Sequence, residues 1–146
     1  MPIGGCFCGQ VRYDAGGTPF NMTLCHCADC RRATGAPMVA WFTVRPAALR
    51  FTAGAPKRFA SSTGVTRSFC AACGTTLTFQ HDGIDEVDVT TCSLDEPLGL
   101  PPVDHCQDAG RLDWVQLADG LPRYAGWAPA DATHRVPRPL RPSSTD

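Results

Sequence analysis

A chain of 146 residues is long enough to bury a core as a single domain without crosslinks to hold it together. Its formal net charge of -1 carries no whole-protein signature of a nucleic-acid binder, and no apolar run approaches the roughly 20 residues that a membrane-spanning helix requires. Nine cysteines, an odd number, therefore call for a use other than stapling a poor core.

The N-terminal stretch MPIGGCFCGQVRY alternates and turns instead of running hydrophobic, so it does not read as a secretory signal, and a cytoplasmic, reducing location is expected. In that compartment clustered cysteines serve more often as metal ligands or redox groups than as disulfides. Fourteen glycines and thirteen prolines punctuate the chain, leaving room for few and short helices. Between them lie runs rich in β-branched and aromatic residues. In order, strands are expected at QVRYDA (10 to 15), APMVAWFTV (36 to 44), ALRFTA (48 to 53), KRFASS (57 to 62), TRSFC (66 to 70), TTLTFQ (75 to 80) and EVDVTTCSL (86 to 94). In the last, Val87, Val89 and Thr91 share one face, the period of two of a half-buried strand. AGGTP (15 to 19), AGAP (53 to 56) and HDGID (81 to 85) carry the turn chemistry between strands.

DEPLGLPP (95 to 102) reads as a loop with at most one helical turn, and DWVQLADGLPRY (113 to 124) brings back apolar residues around an Asp-Gly turn. The expected fold class is mostly β, in one domain over residues 1–127 with few short helices. Residues 128–146 are too poor in apolar side chains to pack and read as a flexible tail containing proline and arginine.

Cys6 and Cys8 precede one strand and Cys70 and Cys73 precede another, each pair followed by a glycine, Gly9 and Gly74. That is the pattern of a zinc knuckle, in which a tight turn converges two sulfurs on one ion. Four thiolates close a tetrahedron at about 2.3 Å and make a structural site. A redox pair at Cys70 and Cys73, or simple buried thiols, are the other readings of the second pair, but neither accounts for the first.

Cys25, Cys27 and Cys30 form C-x-C-x-x-C, three sulfurs where a closed site needs four. An open fourth position distinguishes catalytic zinc from structural zinc, and a thiolate-rich centre suits the binding and exchange of a sulfur ligand. Arg31 and Arg32 follow at once and could clamp carboxylates of an anionic ligand or simply be solvated. His26 and Asp29 lie within the same loop. Cys92, Cys106 or His105 could instead complete a closed site, which would make the protein a non-enzymatic zinc-binding interaction module. Redox sensing through Cys27 and Cys30 is a third possibility.

With these clusters in order, the chain resembles the family of glutathione-dependent formaldehyde-activating enzymes, which includes centromere protein V-like proteins. The resemblance rests on GGCFCGQVRY (4 to 13), LCHCADCRRATGAPMVAW (24 to 41), RSFCAACGTTL (67 to 77), SLDEP (93 to 97) and Pro102, His105 and Trp114. It implies a mostly-β fold of small antiparallel sheets joined by zinc, with two zinc ions per chain. Cys6, Cys8, Cys70 and Cys73 would hold the structural ion, and Cys25, Cys27 and Cys30 an exchangeable, catalytic one. The implied activity is that of a carbon-sulfur lyase, the reversible joining of formaldehyde and glutathione into S-(hydroxymethyl)glutathione, with glutathione or another small thiol and an aldehyde as partners.

Overall fold

The computed structural model describes residues 1–129 and 132. Most of the expected tail, 128–146, lies outside the described residues. The strands are β1 (Ile3–Gly5), β2 (Arg12–Ala15), β3 (Phe20–Cys25), β4 (Val39–Val44), β5 (Leu49–Ala53), β6 (Lys57–Ser62), β7 (Val65–Phe69), β8 (Thr76–His81), β9 (Val87–Thr90) and β10 (Asp104–Cys106). Among the described residues one α-helix, α1 (Ala28–Thr34), interrupts them, and short 3-10 turns cover Pro46–Ala48, Thr91–Ser93, Pro97–Gly99 and Asp108–Gly110. The mostly-β class expected from the sequence is the one found.

Two sheets result. The smaller runs β1-β2-β5, and the larger runs β10-β3-β4-β9-β8-β7-β6. Among the described residues every pairing between these strands is antiparallel except β10 with β3, where Asp104, His105 and Cys106 pair in parallel with Thr23, Leu24 and Cys25. The run EVDVTTCSL is strand only to Thr90, after which Thr91–Ser93 tightens into a 3-10 turn. The expected helical turn in DEPLGLPP is Pro97–Gly99.

β4 lies between two environments because its side chains alternate across the sheet. Phe42 and Val44 point to one side, where they pack with Tyr13, Ala15, Leu77 and Val89 in the core between the sheets. Val39 and Trp41 point to the other, packing with Cys25, Cys30 and Cys106. This second face of the large sheet carries the cavity described below. DWVQLADGLPRY forms no strand; its end is held beside β10 by a single bridge, His105 to Arg123.

Candidate metal centres and their cavity

The turn after β1 supplies Cys6 and Cys8, and the turn after β7 supplies Cys70 and Cys73. Their four sulfurs all lie within 4.8 Å of one another. Each turn closes on a left-handed glycine, Gly9 at φ +80 and Gly74 at φ +78, a conformation that favours a residue without Cβ. The N–H of Gly9 donates to Cys6 O at 3.1 Å and that of Gly74 to Cys70 O at 2.8 Å, which folds the chain so that each sulfur pair converges. Donors point at the sulfurs as they would at thiolates: the Val11 N–H reaches Cys6 Sγ at 3.2 Å. The Thr75 hydroxyl and backbone N–H hold the Cys73 thiol down to about 5. Four such sulfurs in contact, with Cys6 and Cys8 at 3.6 Å and Cys8 and Cys70 at 3.8 Å, repel once ionised. The donor set fits a soft divalent cation.

The second cluster is local in the chain. Cys25 ends β3, Cys27 caps α1, and Cys30 sits in its first turn, again with all sulfurs within 4.8 Å. The helix starts here because the Cys27 sulfur accepts from the Cys30 N–H at 3.2 Å, doing what a serine or aspartate does at a usual N-cap. It stops at Gly35, whose φ of +66 lets its N–H turn back to Arg31 O at 2.8 Å. Bonding from Cys25 and Cys30 pulls the Cys27 thiol down to about 2. Cys25 moves strongly upward beside Cys106, Cys27 and Cys30. The group thus favours one thiolate among protonated neighbours, and the rest of the sulfurs need positive charge nearby to ionise.

These three cysteines lie in the wall of a cavity of about 330 Å³, together with Trp41, Arg67, Phe79, Cys106 and Trp127. Asn21 also lines it, buried and at φ +50, an unusual backbone state for a residue with a side chain. Arg67 is buried, its guanidinium 5.0 Å above the Phe79 ring and its Nη atoms 3.7 Å and 3.9 Å from Cys30 Sγ.

The arginines singled out in the sequence stand elsewhere. Arg32 is exposed and lines an adjoining recess with Phe59 and Thr76, and Arg31 buries its Nε without a hydrogen-bond partner. Neither is among the residues lining the cavity. Of the three residues considered for closing the cluster, only Cys106 joins the lining: it is fully buried and pairs in register with Cys25. Cys92 is exposed in a different recess beside Cys73. His105 is committed to other partners.

Its Nδ1 lies 2.8 Å from His26 Nε2, and its Nε2 lies 2.7 Å from Asp119 Oδ2. If His105 Nε2–H donates to Asp119, its Nδ1 accepts from His26, so the three form one directional chain. His26, His105 and Asp108 also lie close enough to hold a metal. Asp108, however, faces Arg123 at 3.1 Å and Arg111 at 3.7 Å, two guanidiniums that oppose a further cation. We read this group as a buried hydrogen-bond chain behind the Cys25 to Cys27 loop. The sequence signal for it was the pair of histidines flanked by cysteines; the signal for Arg67 was an arginine at an inward position of a strand.

Fold and clusters together define a small mostly-β protein whose grouped cysteines could hold metal ions. A family model described as glutathione-dependent formaldehyde-activating enzyme matches residues 1–107, and the chain belongs to that family. A crystal structure of a Rhodobacter sphaeroides protein, a structural genomics target, is similar at 23% identity with a TM-score of 0.52, covering 84% of this chain and 99% of that one. At that identity the likeness concerns the fold. No curated protein matches the chain. Among the described residues no helix is long and apolar enough to cross a membrane.

Proposed function

We propose that the protein is a zinc-dependent carbon-sulfur lyase acting on a thiol adduct, the adduct being S-(hydroxymethyl)glutathione formed from glutathione and formaldehyde. The observation that carries this reading is the opening of the three-sulfur cluster onto a cavity of about 330 Å³, a volume in the range of small-molecule sites. Membership of the family supports the choice of reactants. Cys6, Cys8, Cys70 and Cys73 would hold a structural zinc, and Cys25, Cys27 and Cys30 a second one. Bound there, zinc supplies a Lewis acid that lowers the pKa of a ligating thiol from its usual value of about 8.5.

The chain's own groups then account for the rest. The three sulfurs lie in the wall of the cavity, whose lining includes the rings of Trp41, Phe79 and the half-exposed Trp127, and a thiol and an aldehyde held in that space would be brought together. In the forward direction the thiol proton leaves, the sulfur bonds to the carbonyl carbon, and the carbonyl oxygen takes up a proton; the lyase direction reverses each change. Arg67 offsets the negative charge of the sulfur cluster. The nine cysteines form no disulfide with one another, in keeping with a reducing, cytoplasmic setting.

The test is to mix purified protein with formaldehyde and glutathione and follow adduct formation by NMR, with metal content measured on the same sample. Acceleration that vanishes on chelation and returns with zinc supports the reading; no acceleration with both sites loaded removes it. Cys106 favours one competing reading, a closed four-sulfur site in a non-enzymatic module. In that case X-ray absorption gives four sulfurs at both ions, unchanged by added glutathione and reduced by Cys106→Ser.

A further inference from the structure

The guanidinium of Arg67 is the group in the cavity that the lyase reading leaves incompletely used. Its side chain projects from β7 and the residue is only 8% exposed. It forms no ion pair with a carboxylate among the described residues, whose arginine pairs involve Arg12, Arg45, Arg50, Arg111 and Arg123 instead. Its polar contacts are the two to Cys30 Sγ, at 3.7 Å and 3.9 Å. A guanidinium carries five N–H donors in a planar fork, so two long sulfur contacts leave most of that capacity unused. Phe79 covers one face of the fork, and the carboxylates in the same lining, Asp29 and Asp88, form no ion pair with it. A buried cation short of acceptors is costly unless an anion completes it, and a planar fork matches the two oxygens of a carboxylate.

We propose that Arg67 is the carboxylate-binding residue of this cavity, and that its ligand is an anionic thiol whose carboxylate sits on Arg67 while its sulfur reaches the Cys25, Cys27 and Cys30 cluster. The assignment rests on the thiol reading above but adds a specificity element to it. A neutral thiol fills the same space and leaves the fork unsatisfied. Asp29 and Asp88 also line the cavity, so without Arg67 a carboxylate entering beside the three sulfurs meets mostly like charge, with His81 the other basic side chain of the lining.

The experiment is calorimetric titration of the full chain, purified with its metal, using mercaptoacetate, 2-mercaptoethanol and acetate. Mercaptoacetate is expected to bind at least about tenfold more tightly than 2-mercaptoethanol, the scale of one charge-assisted pair. Arg67→Met should erase that preference. Arg67→Lys should weaken mercaptoacetate several-fold with 2-mercaptoethanol unchanged, because a lysine keeps the charge but not the fork. Equal affinity of the two thiols for the wild type overturns the assignment and leaves the thiol reading standing, as does a preference undiminished in both variants. Binding of acetate alone, lost in Arg67→Met, keeps the assignment and overturns the thiol reading. No binding of any probe overturns both. Should Arg67→Met fail to fold by circular dichroism, the wild-type preference and Arg67→Lys decide the matter.

Discussion

Cys27 serves the helix and the sulfur cluster with the same atom. Its Sγ accepts the Cys30 N–H at the start of α1 and also lies among the grouped sulfurs. Serine is a strong N-cap, so Cys27→Ser should leave the melting temperature within a few degrees while abolishing adduct formation and lowering the metal content of the second cluster. A collapse of the fold in that variant would show the sulfur to be structural. Tyr13 gives a second test at this scale. Burial pushes its phenol up to about 12, against a lowering contribution from its 2.7 Å hydrogen bond with Ser93 Oγ. A raised folded pKa means that the stabilisation is complete below the unfolded value of 10.0 and is lost as pH rises through about 12. The shift corresponds to about 2 to 3 kcal/mol. Urea midpoints measured from pH 9 to 12 should fall more steeply for the wild type than for Tyr13→Phe, whose ring cannot ionise. Arg67 shows where residue-level reading stops: the sequence places it in a strand beside two cysteines, but which arginine faces the cavity is decided by sheet packing, and Arg31 and Arg32 were the nearer in sequence to the cluster.

At the scale of elements, β6 was legible residue for residue as KRFASS, and most other strands to within a few positions. β3 was not. Its inward residues are Asn21, Thr23 and Cys25, and its half-buried ones Phe20, Met22 and Leu24, so the alternation is inverted in polarity. The cause is that this strand turns its inner face to a cavity and to the sulfur cluster, where polar groups find work. Thr23 donates to the buried Asp104 carboxylate at 2.6 Å, tying β3 to β10. β10 itself is too short for any period to show, and its parallel partner lies some eighty residues earlier in the chain. α1 was hidden because a cysteine stood at its N-cap. The glycines that end these elements permit a paired test. Gly35 and Gly54 have similar left-handed angles, φ +66 and +61, but a Cβ at Gly35 meets open space while one at Gly54 falls 2.3 Å from Gln10 O. Gly35→Ala should therefore cost about 1 kcal/mol, the strain of the angle alone. Gly54→Ala should cost at least about 2 kcal/mol more by urea titration, since the clash is with backbone and forces β2 and β5 apart.

For the whole molecule, the four-cysteine cluster bridges the turn of the small sheet to a turn of the large one, whereas the three-cysteine cluster stays on the large sheet and its helix. Loss of the first should loosen the packing of one sheet on the other. Cys73→Ser is accordingly expected to lower stability by about 3 kcal/mol or more, and Cys30→Ser by much less, with melting temperature and metal content measured on both. We also propose that the domain ends near residue 127. Gly126 O receives the Gln107 N–H at 2.8 Å and Pro122 O the His105 N–H at 2.9 Å, so the chain is still structurally engaged there. Ending it after Trp127 should keep the melting temperature, and ending it after Gly120 should lower it by removing the strap over β10.

The same difference between the clusters would govern how a newly made chain gathers ions, were both clusters to hold them. Cys25, Cys27 and Cys30 occupy six consecutive positions, so they can meet an ion while the chain is still being synthesised. Cys8 and Cys70 are 62 residues apart and come together only when both sheets have formed, after a loop-closure cost that grows with separation. If both clusters hold ions, metal scarcity would act on the two at different moments: on one before folding, as a competition among short peptides, and on the other afterwards, as an arrest of a nearly finished protein.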